Sequence, residues 1–152
     1  MTNPSSVTEI LQAAIKEEEE ANAFYAKVAE TARDAAVREI FLGLAKEELG
    51  HKQFLLGCMA DTELLKKVSA PADYKVAEAT AEPPLSTDMK PVDAIALAMK
   101  KEQQAAEGYR NMARSTSDAH YRQMFEKLSE MELAHKAALE SAFVNIGYPE
   151  VF

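Results

Sequence analysis

The sequence repeats itself at an offset of 84 residues, and this repeat constrains the fold more than any other feature. Glu48-Leu49-Gly50-His51 falls on Glu132-Leu133-Ala134-His135, Glu18 on Glu102, Tyr25 on Tyr109, Asp34-Ala35 on Asp118-Ala119, Arg38 on Arg122 and Phe41 on Phe125. From Ile10 to Gly57, 16 of 48 positions are identical to their partners without a gap. Such a chain is a duplication of one supersecondary unit.

Each copy reads as two helices. Ser6 or Thr8 can cap a first helix running to about Thr31, with Ile10, Leu11, Ala14, Ile15, Tyr25 and Val28 on one face. Glu18 sits inside that apolar stripe, whereas Glu17, Glu19 and Glu20 rotate away from it toward water. Asp34 is the expected N-cap of a second helix that ends near Cys58 and carries Val37, Phe41, Leu44, Glu48, His51 and Leu55 on its inner stripe. The turn near Arg33 lies 15 residues from both Glu18 and Glu48, so an antiparallel hairpin brings the two carboxylates to one level. Ser117 stands in the same relation to Glu102 and Glu132.

Between the copies, from about 59 to 90, periodicity fades and Pro71, Pro83, Pro84 and Pro91 interrupt the chain. One short helix is expected at Asp61–Val68. The segment is far longer than neighbouring antiparallel helices need, about 2 to 8 residues, so it is read as a crossover along the bundle. The second hairpin spans about 91–145, its third helix opening at Pro91 and its fourth capped by Asp118 and stopped by Gly147 and Pro149. The predicted fold is all-α: one domain over 1–152, a four-helix bundle of two duplicated hairpins, the first at about 7–58.

Glu48 with His51, and Glu132 with His135, are three residues apart and share a helix face, so each pair can offer a carboxylate oxygen and an imidazole nitrogen to one metal ion. With Glu18 and Glu102 the set holds four carboxylates and two imidazoles, which two divalent cations would neutralise. Unneutralised, four buried carboxylates would repel one another and take up protons. Mixed oxygen and nitrogen ligands suit iron or manganese; zinc is possible, although structural zinc sites more often use thiolates. The single cysteine, Cys58, excludes an internal disulfide and a Cys-rich site, and is expected to be a semi-buried thiol at the end of the second helix. His120 reads as a surface or capping residue, and Met99, Met112, Met124 and Met131 as core filler. A net charge of -8 argues against nucleic acid and anionic membranes as partners. The N-terminus lacks the pattern of a leader and no apolar run approaches a membrane span, so a cytoplasmic protein is expected.

Tyr25 and Tyr109 follow the single-Glu ligands by seven residues, two turns along the same face. There they can donate hydrogen bonds to carboxylates of the opposite hairpin.

These residues resemble the rubrerythrin family of the ferritin-like superfamily. The resemblance rests on the Glu18 to Tyr25 spacing, the Asp34 turn, Glu48-x-x-His51 and their copies at Glu102, Tyr109, Asp118 and Glu132-x-x-His135. It implies a ferritin-like bundle with a non-haem di-iron centre held by Glu18, Glu48, His51, Glu102, Glu132 and His135. It further implies an oxidoreductase, of peroxidase or ferroxidase type, that reacts with hydrogen peroxide or dioxygen, often as a homodimer. The four carboxylates would act through the metals and the two tyrosines beside them. The sequence departs from the family in two ways. It has no Cys-x-x-Cys rubredoxin motifs, which implies an external electron donor such as a separate rubredoxin. It also has Ala105 where rubrerythrins place an additional glutamate. A protein that only holds or stores iron or manganese is the alternative.

Overall fold

In the computed structural model, residues 6–147 are described, and they form four long helices: α1 (Val7–Thr31), α2 (Ala35–Ala60), α3 (Pro91–Ser115) and α4 (Ala119–Gly147). Ser6 caps α1 by accepting from the Glu9 amide, and Asp34 caps α2 by accepting from Val37. Asp118 does the same for α4 through the His120 and Tyr121 amides, which leaves His120 exposed on its first turn. The expected helix at Asp61–Val68 is a 3-10 helix, Thr62–Lys67, capped by Asp61. Pro149 lies outside the described residues. Among the described residues no helix is long and apolar enough to cross a membrane.

The two hairpins are built alike at their turns. Arg38 donates to the Ala32 carbonyl at 3.1 Å, and its repeat equivalent Arg122 donates to the Thr116 carbonyl at 3.2 Å. Each arginine thereby satisfies the last carbonyls of the preceding helix, which lack a partner within that helix. Within the hairpins a second link is built in mirror fashion. Asn22 of α1 donates to the Ala45 carbonyl of α2 at 2.7 Å, whereas in the second hairpin the donor is Ser129, the equivalent of Ala45, and the acceptor is the carbonyl of Ala106, the equivalent of Asn22. The link survives with its polar partner moved to the other helix. It sits one turn from the glutamates in both copies.

The apolar core is divided. One cluster joins Ile10, Leu11 and Ala14 of α1 to Leu55 and Cys58 of α2, Ala113 of α3 and Phe125 and Leu128 of α4. The other joins Tyr25, Val28 and Ala29 to Val37, Phe41 and Leu44 of α2 and Ala94, Leu97 and Ala98 of α3. The start of α1 thus lies with the end of α3, so the two helices run in opposite directions, and the 61–90 crossover travels the length of the bundle. Cys58 is fully buried in the first cluster, not half-exposed as the sequence suggested, because Leu65 of the crossover packs into the same cluster. The crossover is anchored at both ends: Lys127 donates to the Val68 carbonyl, and Arg33 pairs with Asp88 while its amide donates to Thr87.

Candidate metal centre

Between the two apolar clusters lies a layer of buried acid. Glu18, Glu48, Glu102 and Glu132 are 3–6% exposed, one from each helix. They fall into two triads. Glu18, Glu48 and His51 place three ligand atoms within 4.8 Å of one another, and Glu102, Glu132 and His135 do the same. The level-matching read from the turns therefore holds in three dimensions, and each hairpin supplies its own triad.

Both histidines turn Nδ1 inward. His51 Nδ1 lies 3.3 Å from Glu48 and 3.4 Å from Glu18; His135 Nδ1 lies 3.4 Å from Glu132 and 3.8 Å from Glu102. The electrostatics are those of a site short of positive charge. Burial, with Glu102 adding to it and His135 opposing, pushes Glu132 up to about 8; burial also lifts Glu102 to about 8, with Glu132 opposing and Glu48 and Glu18 reinforcing. Burial raises Glu48 as well. At His51 burial works against the cation, but Glu18 and Glu48 outweigh it and push the imidazole up to about 10. Without another cation the layer neutralises itself with protons.

The residues fit a pair of metal ions. His135 Nδ1 is buried and makes no hydrogen bond, an orphan nitrogen that coordination would satisfy. The donor set, carboxylate oxygen with imidazole nitrogen, suits iron or manganese. A third group of acids, Asp73, Glu78 and Glu140, also draws together, but it already holds a cation. Lys136 Nζ lies 2.8 Å from Asp73, 2.7 Å from Glu78 and 3.6 Å from Glu140. This buried ammonium ties the crossover to α4 beside His135. Its repeat equivalent, Lys52, makes only an exposed pair with Glu19. Lys52 and Lys136 match in the 84-residue repeat, and nothing in the period of α4 shows that the crossover covers the face that carries Lys136.

Tyr25 and Tyr109 are buried beside the acid layer. Burial first, then Glu102 and Glu48 for Tyr25 and Glu132 and Glu18 for Tyr109, hold both phenols protonated. Tyr109 does not make the hydrogen bond expected of it: its hydroxyl is buried without a partner. Above the carboxylates a cleft of about 800 Å³ opens between α1 and α3, and it is lined in part by Tyr25, Tyr109 and Ala105. Helix α3 is α-helical throughout, including the turn of Ala105.

Comparison with known proteins agrees with this architecture. A hypothetical protein from Pyrococcus furiosus of known structure is 26% identical over 97% of this chain and 94% of its own, with a TM-score of 0.51. No curated protein matches. The model of the rubrerythrin family matches residues 9–143, a stretch that spans both hairpins and both Glu-x-x-His pairs. By that match the four-helix bundle is ferritin-like, and the chain belongs to the rubrerythrin family.

Proposed function

We propose that the protein is a di-iron oxidoreductase that reduces hydrogen peroxide or dioxygen with electrons from an external donor such as a separate rubredoxin. The observation that carries this reading is the pair of Glu-Glu-His triads lying beneath a cleft that reaches all four carboxylates. Glu18, Glu48 and His51 would hold one ion and Glu102, Glu132 and His135 the other, and two iron ions there supply a two-electron couple at one place. The protein's own groups do the rest. The four carboxylates bring about four negative charges to a buried layer and so favour the more highly charged metal state. The phenols of Tyr25 and Tyr109 stand beside them and keep their protons, so they add no further negative charge to the layer. The apolar clusters above and below bury the four carboxylates, which meet the cleft on one side and the partly exposed His51 and His135 on the other.

The test is stopped-flow oxidation of protein loaded anaerobically with ferrous ions. Excess peroxide or dioxygen should give one fast oxidation per site and then stop, and reduced rubredoxin should restore turnover. Glu102→Gln should slow that turnover at least tenfold. Ferrous protein inert to both oxidants would refute the reading. Oxidised protein that goes on taking up iron beyond two per chain would put storage in its place.

We also propose that two copies associate through α2. Leu42, Leu49 and Leu56 stand 41–52% exposed at seven-residue intervals, the spacing of a helix-pairing seam. Each is followed by a glycine, and a Cβ added at Gly43 or Gly50 would meet nothing within 4 Å, so a partner helix can come close there.

A further inference from the structure

The two hairpins agree at their turns and in their ligand sets but differ on their outer grooves. In the second hairpin, Ala77 of the crossover is fastened to both helices at once. Its amide donates to the buried Glu140 of α4 at 2.7 Å, and its carbonyl accepts from Lys100 Nζ of α3 at 3.0 Å. Its side chain is fully buried in one cluster with Ala96 and Met99 of α3. Beside it, Lys136 of α4 binds Asp73 and Glu78, which flank Ala77 in the chain, and Glu140 lies 3.6 Å away. Residues 73–78 thus staple α3 to α4. The staple grips both helices next to their ligands, since Lys100 stands two residues before Glu102 and Lys136 directly follows His135.

Among the described residues the first hairpin has no such staple. The repeat equivalents of Lys100, Lys136 and Glu140 are Lys16, Lys52 and Leu56. Lys16 is exposed, Lys52 pairs only with Glu19, and the exposed Leu56 has no side-chain oxygen to hold a backbone amide. The histidines differ in the same sense. His51 Nδ1 is engaged by Glu48 at 3.3 Å, whereas His135 Nδ1 is buried without a hydrogen bond and is free to coordinate. Ligands held in place before an ion arrives lose less freedom when it binds, and partners that orient metal ligands are typically worth about 10–100-fold in metal affinity. We infer that the two metal sites are unequal: the site of Glu102, Glu132 and His135 fills first, and Lys136, clamped by the crossover, is the positioning residue that makes it the tighter one. The inference rests on the reading of the acid layer as a two-metal centre and adds to it an order of filling.

Single-site proteins give each affinity alone. His51→Ala keeps the site of the second hairpin and His135→Ala that of the first, and zinc binding to each is measured by isothermal calorimetry against a competing chelator. We expect His51→Ala to bind its ion about tenfold more tightly than His135→Ala. Two changes then loosen the staple with opposite changes of charge. Lys136→Met removes a positive charge, which by Coulomb attraction alone would tighten zinc binding; Asp73→Asn with Glu78→Gln removes two negative charges, which would weaken it. Both should weaken zinc binding about tenfold in the His51→Ala protein and leave it unchanged in the His135→Ala protein. Circular dichroism checks that each variant is folded, and if Lys136→Met is not, the Asp73 and Glu78 pair decides the question. In wild-type protein given one zinc per chain, the imidazole NMR signals of His135 should shift before those of His51. Equal affinities of the two single-site proteins, tighter binding in Lys136→Met, or the same loss in both backgrounds would overturn the inference and leave the two-metal centre in place. Wild-type protein that takes up no zinc would overturn the two-metal reading and the inference with it.

Discussion

His51 and His135 stack face to face, their ring centroids 3.5 Å apart and their planes 5° from parallel. The two residues are repeat equivalents on α2 and α4, so the local axis relating the hairpins passes between the rings. Each ring then turns Nδ1 toward the carboxylates of its own hairpin. Two Glu-Glu-His triads back to back follow from a duplicated hairpin whose acid and imidazole groups face the duplication axis.

This arrangement predicts separable metal sites. Wild-type protein should bind two divalent ions per chain, while His51→Ala and His135→Ala should each retain one tightly and weaken the other at least tenfold. Elemental analysis and calorimetric titration distinguish this from concerted loss. If either single substitution released both ions equally, the assignment of one histidine to each ion would be wrong.

The metal-free protein should lose stability as pH rises. Glu102 and Glu132 sit near 8 in the folded chain against 4.5 for the ordinary group, so the folded state holds more protons between those values. Unfolding free energy then decreases with pH from about 4.5 to about 8. His51, near 10 in the fold against 6.5, adds stability that is complete below about 6.5 and disappears as pH rises to about 10. The melting temperature of metal-free protein should therefore fall between about pH 5 and 9, and loading with zinc should flatten the profile because the ions replace the protons. A metal-free melting temperature that climbs over this range would contradict the account.

Two lysines at equivalent positions should behave differently. Lys136→Met leaves Asp73, Glu78 and Glu140 without their cation, and breaking a buried pair costs about 3–5 kcal/mol. Because Asp73 and Glu78 remain about 30% exposed and water can take over, we expect roughly 2–3 kcal/mol. Lys52→Met removes only its exposed pair with Glu19 and should cost about 0–1 kcal/mol. Urea denaturation of the two variants gives the comparison directly; equal losses would mean that the crossover clamp contributes nothing of its own.

For association through α2, light scattering should give twice the 16.7 kDa chain mass for wild-type protein. Leu49→Lys, at the centre of the leucine seam, should yield monomer with unchanged helix content. A dimer that tolerates this change would place the contact elsewhere.

Much of this molecule is readable in one dimension because helices report themselves by period. Glu18 was distinguishable from Glu17, Glu19 and Glu20 since only it falls in the apolar stripe, and in the fold only it of the four is buried. Equal distances from two capped turns brought Glu18 to Glu48 and Glu102 to Glu132 without knowledge of any contact. The Asp34 and Asp118 caps were visible as residue types at the right offset from an apolar run.

Side chains whose surroundings come from outside their own helix were not readable. Lys52 and Lys136 match in the repeat, yet one is 28% exposed and the other 1%, because the aperiodic crossover covers Lys136 on α4 and not Lys52 on α2. Cys58 is buried for a similar reason, beneath Leu65. Tyr109 lies beside the acid layer, but its unpartnered hydroxyl and the cleft along α1 and α3 depend on how those two helices are spaced. The sequence by itself determined the two hairpins and the inward placement of the four glutamates and two histidines, since helical period and turn position are local properties of the chain. The tertiary structure alone decided which outer faces are covered and how wide the gap between hairpins is, since both arise from packing between segments far apart in sequence, where no local period carries the information.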